Sequence, residues 1–402
     1  MTLLRLENAL LLDPEREAPA LGTILVEGGR IRAVLRPGEP APEAAERVDL
    51  AGRALAPGFL DLHFHGELVF AAARGMPDVL ARSARALLRH GTTAFLPTSV
   101  AWPSERLGEF VRSLAKLAGA GDGSGAAPLG IHLEGPWINP AAAGAQPKRG
   151  IRAFEAREGE DLLAWGEGQV RMVTLAPEVE GAAALIEQLA RRGVVAALGH
   201  SLAGEREIDA AARAGVSHVT HLFNAMGALH HREPGVPGCV LGDERLSCDL
   251  ICDGAHVHPR VVRLAAQLLG ARLALITDRI ALPEPSRPGE APDPSFGSGV
   301  LHDDGTALRL PDGRLAGSSL SLDRAMRNLQ RFAARPRLDA VAACTLRPAR
   351  ILGCESERGT LRPGARADFA ILDAEDRVRE TWIAGRPVWR TAQDDGSHPP
   401  RA

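Results

Sequence analysis

The sequence predicts an α/β protein, a barrel built on a parallel sheet, with a small β-sandwich formed by both chain ends. Two observations lead there. From Ala54 to about Ala349, short apolar runs alternate with helical segments, the pattern of a parallel sheet covered by helices. That region is about 300 residues long, which suits a closed barrel. Before it, and after about Gly359, the chain reads as short strands and turns. The 402 residues suffice for one barrel-sized domain and a smaller one. The expected division is 1–53 and 353–392 for the two parts of the sandwich and 54–352 for the barrel, with 393–402 as a disordered tail.

Each element has a local reason. Gly22–Val26, Arg30–Leu35 and Arg47–Leu50 are strand-like, with Gly28-Gly29 and the Pro-rich 37–42 as turns. The expected barrel strands are Ala56–Phe64, Thr93–Pro97, Leu129–Leu133, Arg171–Leu175, Val194–Leu198, His218–His221, Ser247–Ile251 and Leu273–Thr277. Between them, Pro77–His90 reads as a helix with Leu80, Ala84, Leu87 and Leu88 on one face and Gly91 after its end. Ala183–Arg192 and Glu205–Ala214 repeat the form, each followed by Gly. The Pro-rich stretch from Asp278 to Gly299 reads either as a lid or pocket-lining loop or as a plain surface excursion. Asp304-Gly305 and Asp312-Gly313 mark turns between two short strands. Phe369–Leu372, Val378–Ile383 and Pro387–Trp389 return to strands and are expected to pair with the N-terminal ones.

Composition excludes several classes. Lys+Arg is 47 and Asp+Glu 50, so there is no general electrostatic footprint for nucleic acid or an anionic membrane. Five cysteines without a CxxC pair fit reduced thiols in a cytoplasm. The apolar start, Met1–Leu12, is broken by Arg5, Glu7 and Asn8 and reads as a strand rather than a signal peptide. No run approaches a membrane span.

The chemistry lies where the apolar runs end. Ile131–Leu133 ends in Glu134, then breaks on Gly135-Pro136. His63 and His65 share one face of a strand because strand side chains alternate. His200, His221 and Asp278 end further runs. Taken singly, a satisfied structural His is the better reading of His200 and of His221, a His-x-His pair is common, and Asp278 could simply cap the next turn. Together they fall at the carboxyl ends of strands, where barrel enzymes build active sites. Imidazole nitrogen and carboxylate oxygen suit a divalent ion: zinc is expected, with iron, manganese or cobalt as alternatives. A Lewis-acid metal makes water nucleophilic at neutral pH. Asp278 is expected to take that proton and pass it to a leaving amine, which describes hydrolysis of an amide.

Pro57-Gly58-Phe59-Leu60-Asp61-Leu62-His63-Phe64-His65-Gly66 resembles the first-strand signature of the amidohydrolase superfamily. His132–Pro136, Leu175–Glu178, Gly199–Ser201, Thr220–Met226, Arg232–Gly235, Asp253–Val257 and Leu315–Leu320 narrow this to a resemblance to the N-acetylglucosamine-6-phosphate deacetylase family. The resemblance implies a (β/α)8 TIM-type barrel with a β-sandwich from both termini. It implies that Glu134, His200 and His221 hold the main metal and that Asp278 is the catalytic acid/base; the metal count is one or two, a second ion being held by His63 and His65 with Glu134 bridging. It implies that Asn224 and Ala225 contact the sugar phosphate through their backbone, and that Arg232 and His256 bind the phosphate, one or both across a homodimer. Another amidohydrolase activity, such as opening a cyclic amide, and a different N-acetyl sugar are the alternatives. Three positions depart from the family pattern. Gln146 stands where the family carries a His on the acetyl carbonyl. Gly66-Glu67-Leu68-Val69 lacks a run of glycines, and Arg279 replaces a small residue.

Overall fold

A computed structural model describes residues 3–43, 46–71, 75–118, 123–282, 295–296 and 299–391. The expected 393–402 tail, and most of the Pro-rich stretch after Asp278, lie outside them.

The terminal strands are β1 (Leu4–Leu11), β2 (Ala20–Glu27), β3 (Arg30–Leu35), β4 (Glu46–Asp49) and β5 (Ala54–Pro57). They join Phe369–Leu372, Val378–Ile383 and Arg386–Arg390 in one eight-stranded sheet. Strand β5 pairs in parallel with β1 and antiparallel with Phe369–Leu372, so residues from both chain ends interleave. The sheet has its own core, in which Leu6, Ile24 and Ile31 pack with Phe369 and Trp382.

The expected strand Ala56–Phe64 divides at Gly58. Ala54–Pro57 belongs to the terminal sheet and Phe59–Gly66 (β6) to the barrel. The Gly58 amide donates to the Asp368 carbonyl (2.9 Å), and a Cβ there would lie 2.1 Å from Thr93 Oγ1. The chain changes sheets where no side chain fits.

The barrel continues with β7 (Thr92–Pro97), the two-residue β8 (Ala127–Pro128), β9 (Ile131–Glu134), β10 (Val170–Leu175), β11 (Val195–Leu198), β12 (Val216–Val219), β13 (Ser247–Ile251) and β14 (Leu273–Ile276). Neighbours from β9 to β14 pair in parallel in sequence order, as do β6 and β7. The ring closes through a Thr98–His132 bridge between β7 and β9, and through the Asp278 amide donating to the His63 carbonyl (2.9 Å). Helices α1 (Met76–Leu87), α2 (Ser104–Ala115), α3 (Ala156–Trp165), α4 (Ala182–Arg191), α5 (Glu205–Ala214), α6 (Gly235–Gly242), α7 (Pro259–Leu269) and α8 (Leu322–Ala333) follow the strands. Each of α1, α4 and α5 buries one apolar stripe on the barrel and ends at or near a glycine, as the spacing predicts. The barrel strands read as continuous apolar runs because both of their faces are buried.

Candidate metal centre and active site

Every expected ligand lies at the same end of the barrel. His63 and His65 come from the end of β6 and Glu134 is the last residue of β9. His200, His221 and Asp278 sit two residues beyond β11, β12 and β14. These three have φ of 48°, 36° and 49°. Left-handed backbone in non-glycine residues is costly and gathers at functional sites. Here it lets the residue just past each strand face the barrel axis.

Glu134 is the hub. Its Oε1 lies 3.0 Å from His200 Nε2 and 2.9 Å from His221 Nε2. Its Oε2 lies 3.4 Å from His63 Nε2 and 3.2 Å from His65 Nε2. Asp278 Oδ1 completes the second side, 3.4 Å from His63 Nε2 and 3.2 Å from His65 Nε2. In each of two trios, His63–His65–Glu134 and Glu134–His200–His221, the potential ligand atoms lie within 4.8 Å of one another. His65 Nδ1 donates to the Thr98 carbonyl (3.1 Å) and His200 Nδ1 to the Ala142 carbonyl (2.9 Å). That leaves their Nε2 lone pairs available to a metal, in the way metal-binding imidazoles are usually held. The donor set of imidazole nitrogens and a shared carboxylate fits one or two divalent ions.

The charges agree. Burial alone would raise the Glu134 carboxyl, but His63, His200 and His221 hold it well below the usual carboxylate range. Asp278 is lowered likewise, burial being outweighed by His63 and His65. Burial would lower His65 and His221, yet the carboxylates beside them lift His65 to about 10 and His221 to about 9.

Gln146, Asn224, Ala225 and His256 line the same pocket as Glu134 and Asp278. His256 Nδ1 donates to Asp253 Oδ2 (2.6 Å), which fixes the ring. Asn224 is turned onto its own turn, its amide donating to the His221 and Leu222 carbonyls at 3.3 Å. Arg232 does not join them: it is exposed and contacts His231. Of the departures, Glu67 pairs with Arg82 (2.8 Å). Arg279 turns to the other side of its strand and donates to the Ser319 and Leu320 carbonyls (3.1 and 3.3 Å), so it is not a pocket anion contact.

Three supporting residues were not singled out from the sequence. His132 shares its face of β9 with Glu134. Its Nδ1 donates to the Leu62 carbonyl (3.1 Å) and its Nε2 accepts from Thr174 Oγ1 (2.8 Å). Burial, with His63 beside it, holds His132 well below its usual value, so it stays neutral. The i, i+2 spacing to Glu134 was the available signal. Asp249 accepts from the His221 amide and pairs with His218. Asp61 accepts from Thr277 Oγ1 (2.6 Å) and the His63 amide (3.2 Å); burial, against those bonds, raises its carboxyl to about 6.

A (β/α)8 barrel with four imidazoles and two carboxylates at the carboxyl ends of its strands defines a metal-dependent hydrolase of the amidohydrolase class. A family model described as "Amidohydrolase family" matches residues 54–388. The chain is 37% identical to human N-acetylglucosamine-6-phosphate deacetylase over 358 residues, 86% of each chain. It is 36% identical to N-acetylgalactosamine-6-phosphate deacetylase of Escherichia coli over 352 residues, 87% of this chain and 90% of the relative. A solved mutant of the Mycobacterium smegmatis N-acetyl-D-glucosamine-6-phosphate deacetylase, in complex with N-acetyl-D-glucosamine-6-phosphate, superposes with a TM-score of 0.84. It is 32% identical, and the match covers 96% of this chain and 99% of that one. The chain belongs to the N-acetylglucosamine-6-phosphate deacetylase family of the amidohydrolase superfamily.

Proposed function

We propose that the protein hydrolyses the acetamide of N-acetylglucosamine 6-phosphate to the free amine and acetate. The observation that carries this reading is the pair of His/Glu trios sharing Glu134, with Asp278 beside them, at the mouth of the barrel. Glu134, His200 and His221 would hold one divalent ion and His63 and His65 a second, with zinc the ion that best suits these donors. When bound, the metal supplies Lewis acidity to a water and to the acetamide carbonyl. Asp278 takes the proton of that water and gives it to the leaving nitrogen. Its depressed pKa keeps it ionised and ready at neutral pH.

Gln146 Nε2 carries two hydrogens and gives one to Glu134, which leaves the other for the acetyl carbonyl. The Asn224 and Ala225 backbone and His256 orient the sugar phosphate from one wall. The exposed position of Arg232 supports a homodimer in which the partner subunit's Arg232 completes the phosphate clamp. All five cysteines are free, which supports a reducing, cytoplasmic setting.

Acetate release by the metal-loaded protein, measured over a panel of N-acetylhexosamines with and without the 6-phosphate, tests the reading. Turnover confined to the phosphorylated sugars is expected; no release from any of them defeats it. N-acetylgalactosamine 6-phosphate is the second reading, because the relative named for that sugar is as similar as those named for the glucosamine form.

A further inference from the structure

Gln146 reaches the metal centre through one oxygen of Glu134. Its side chain is 8% exposed. The Ala101 amide donates to Oε1 (2.7 Å), which settles the orientation of the amide: the nitrogen must face Glu134. Nε2 then donates to Glu134 Oε2 (2.5 Å). That is the oxygen turned toward His63 and His65, whereas Oε1 is turned toward His200 and His221.

The loop behind this contact is tightly seated. A Cβ on Gly150 would lie 1.9 Å from the Ala101 carbonyl oxygen, and Arg152 Nη1 donates to the Trp102 carbonyl (2.9 Å). The terminal torsion of a glutamate is soft, so its carboxylate plane is set by its partners. A neutral donor can fix that plane without repelling a cation. Gln146 is the group that does so on the His63–His65 side.

We propose that Gln146 is a positioning residue that sets the affinity of the His63–His65–Glu134 trio for a divalent ion, separately from the Glu134–His200–His221 trio. The proposal rests on reading both trios as metal sites. The same loop supplies an internal control. It holds His200 through the backbone carbonyl of Ala142, so a substitution that merely loosened the loop would weaken both sites together.

The test is calorimetric titration of metal-stripped protein with Zn2+ against a competing chelator, for the wild type, Gln146→Met and Gln146→Ala. The wild type is expected to take up two ions. The variants are expected to keep the first affinity and lose about 10–100-fold in the second, the usual effect of removing a partner that orients a ligand. Uptake of one ion by the wild type, equal weakening of both sites, or unchanged affinities with only a raised KM would each overturn the proposal. Failure of the hydrolase reading would appear separately, as absent acetate release at full metal content.

Discussion

Replacing Asp278 by Asn separates proton transfer from placement. The backbone at Asp278 is fixed on two sides: its amide donates to the His63 carbonyl and its carbonyl accepts from the Ser318 amide, both at 2.9 Å. Its φ of 49° is one that Asn tolerates nearly as well as Asp. The variant therefore keeps its position and loses its negative charge and with it the capacity to accept a proton. General acid–base catalysis contributes about 10²–10⁴-fold, or about 3–5 kcal/mol of barrier. The expected outcome is a fall in kcat within that range, with KM little changed and metal retained. Acetate release at saturating substrate and elemental analysis of the same sample are the measurements. A kcat within tenfold of wild type would refute the role of Asp278 as the base. A loss of rate that tracks a loss of metal would make Asp278 a ligand first.

Metal uptake should strengthen with pH. In the metal-free protein His65 and His221 are raised to about 10 and about 9, so both carry protons at neutral pH that an ion must displace. Affinity should climb as pH rises toward 9, and calorimetry in buffers of different ionisation enthalpy should record proton release; none at pH 7 would contradict the raised values. Gly150→Ala should lower stability by about 1–3 kcal/mol, because its Cβ meets a backbone oxygen rather than a flexible side chain. An unchanged urea midpoint would show that the loop yields. Arg279→Ser should reduce thermal stability through two lost hydrogen bonds and leave KM for the sugar phosphate unaltered. A sharp rise in KM would mean that Arg279 swings into the pocket.

The candidate ligands were legible because short buried strands leave a strong imprint. Each is an apolar run, and Glu134 is followed at once by Gly135-Pro136, so the polar residue at the end stands out. Helix α5 falls on the residues its spacing predicts, between Gly204 and Gly215. Other features depend on contacts distant in sequence. Asp249 supports His221 from the neighbouring strand, and Thr277 meets Asp61 across the closure of the barrel. Nothing local predicts either pairing. The direction of Arg279 follows from the pocket behind its strand, lined by Leu320 and Leu322, not from its own neighbours in sequence. The division at Gly58 was hidden because apolar residues flank it directly on both sides, Leu55 to Pro57 and Phe59-Leu60, while the change of sheet is imposed by Thr93 and Asp368.

The interleaved terminal sheet also orders events in time. Leu6, Ile24 and Ile31 are made before the barrel, but their packing partners Phe369 and Trp382 only after it. The strands β1–β3 pair among themselves, yet Phe369 and Trp382, which complete their core, are absent until the barrel has been made. Exposed strands of this kind are vulnerable to aggregation while they wait. While the barrel is being made the sheet is unfinished, and the strands made after it complete the sheet by pairing with β5.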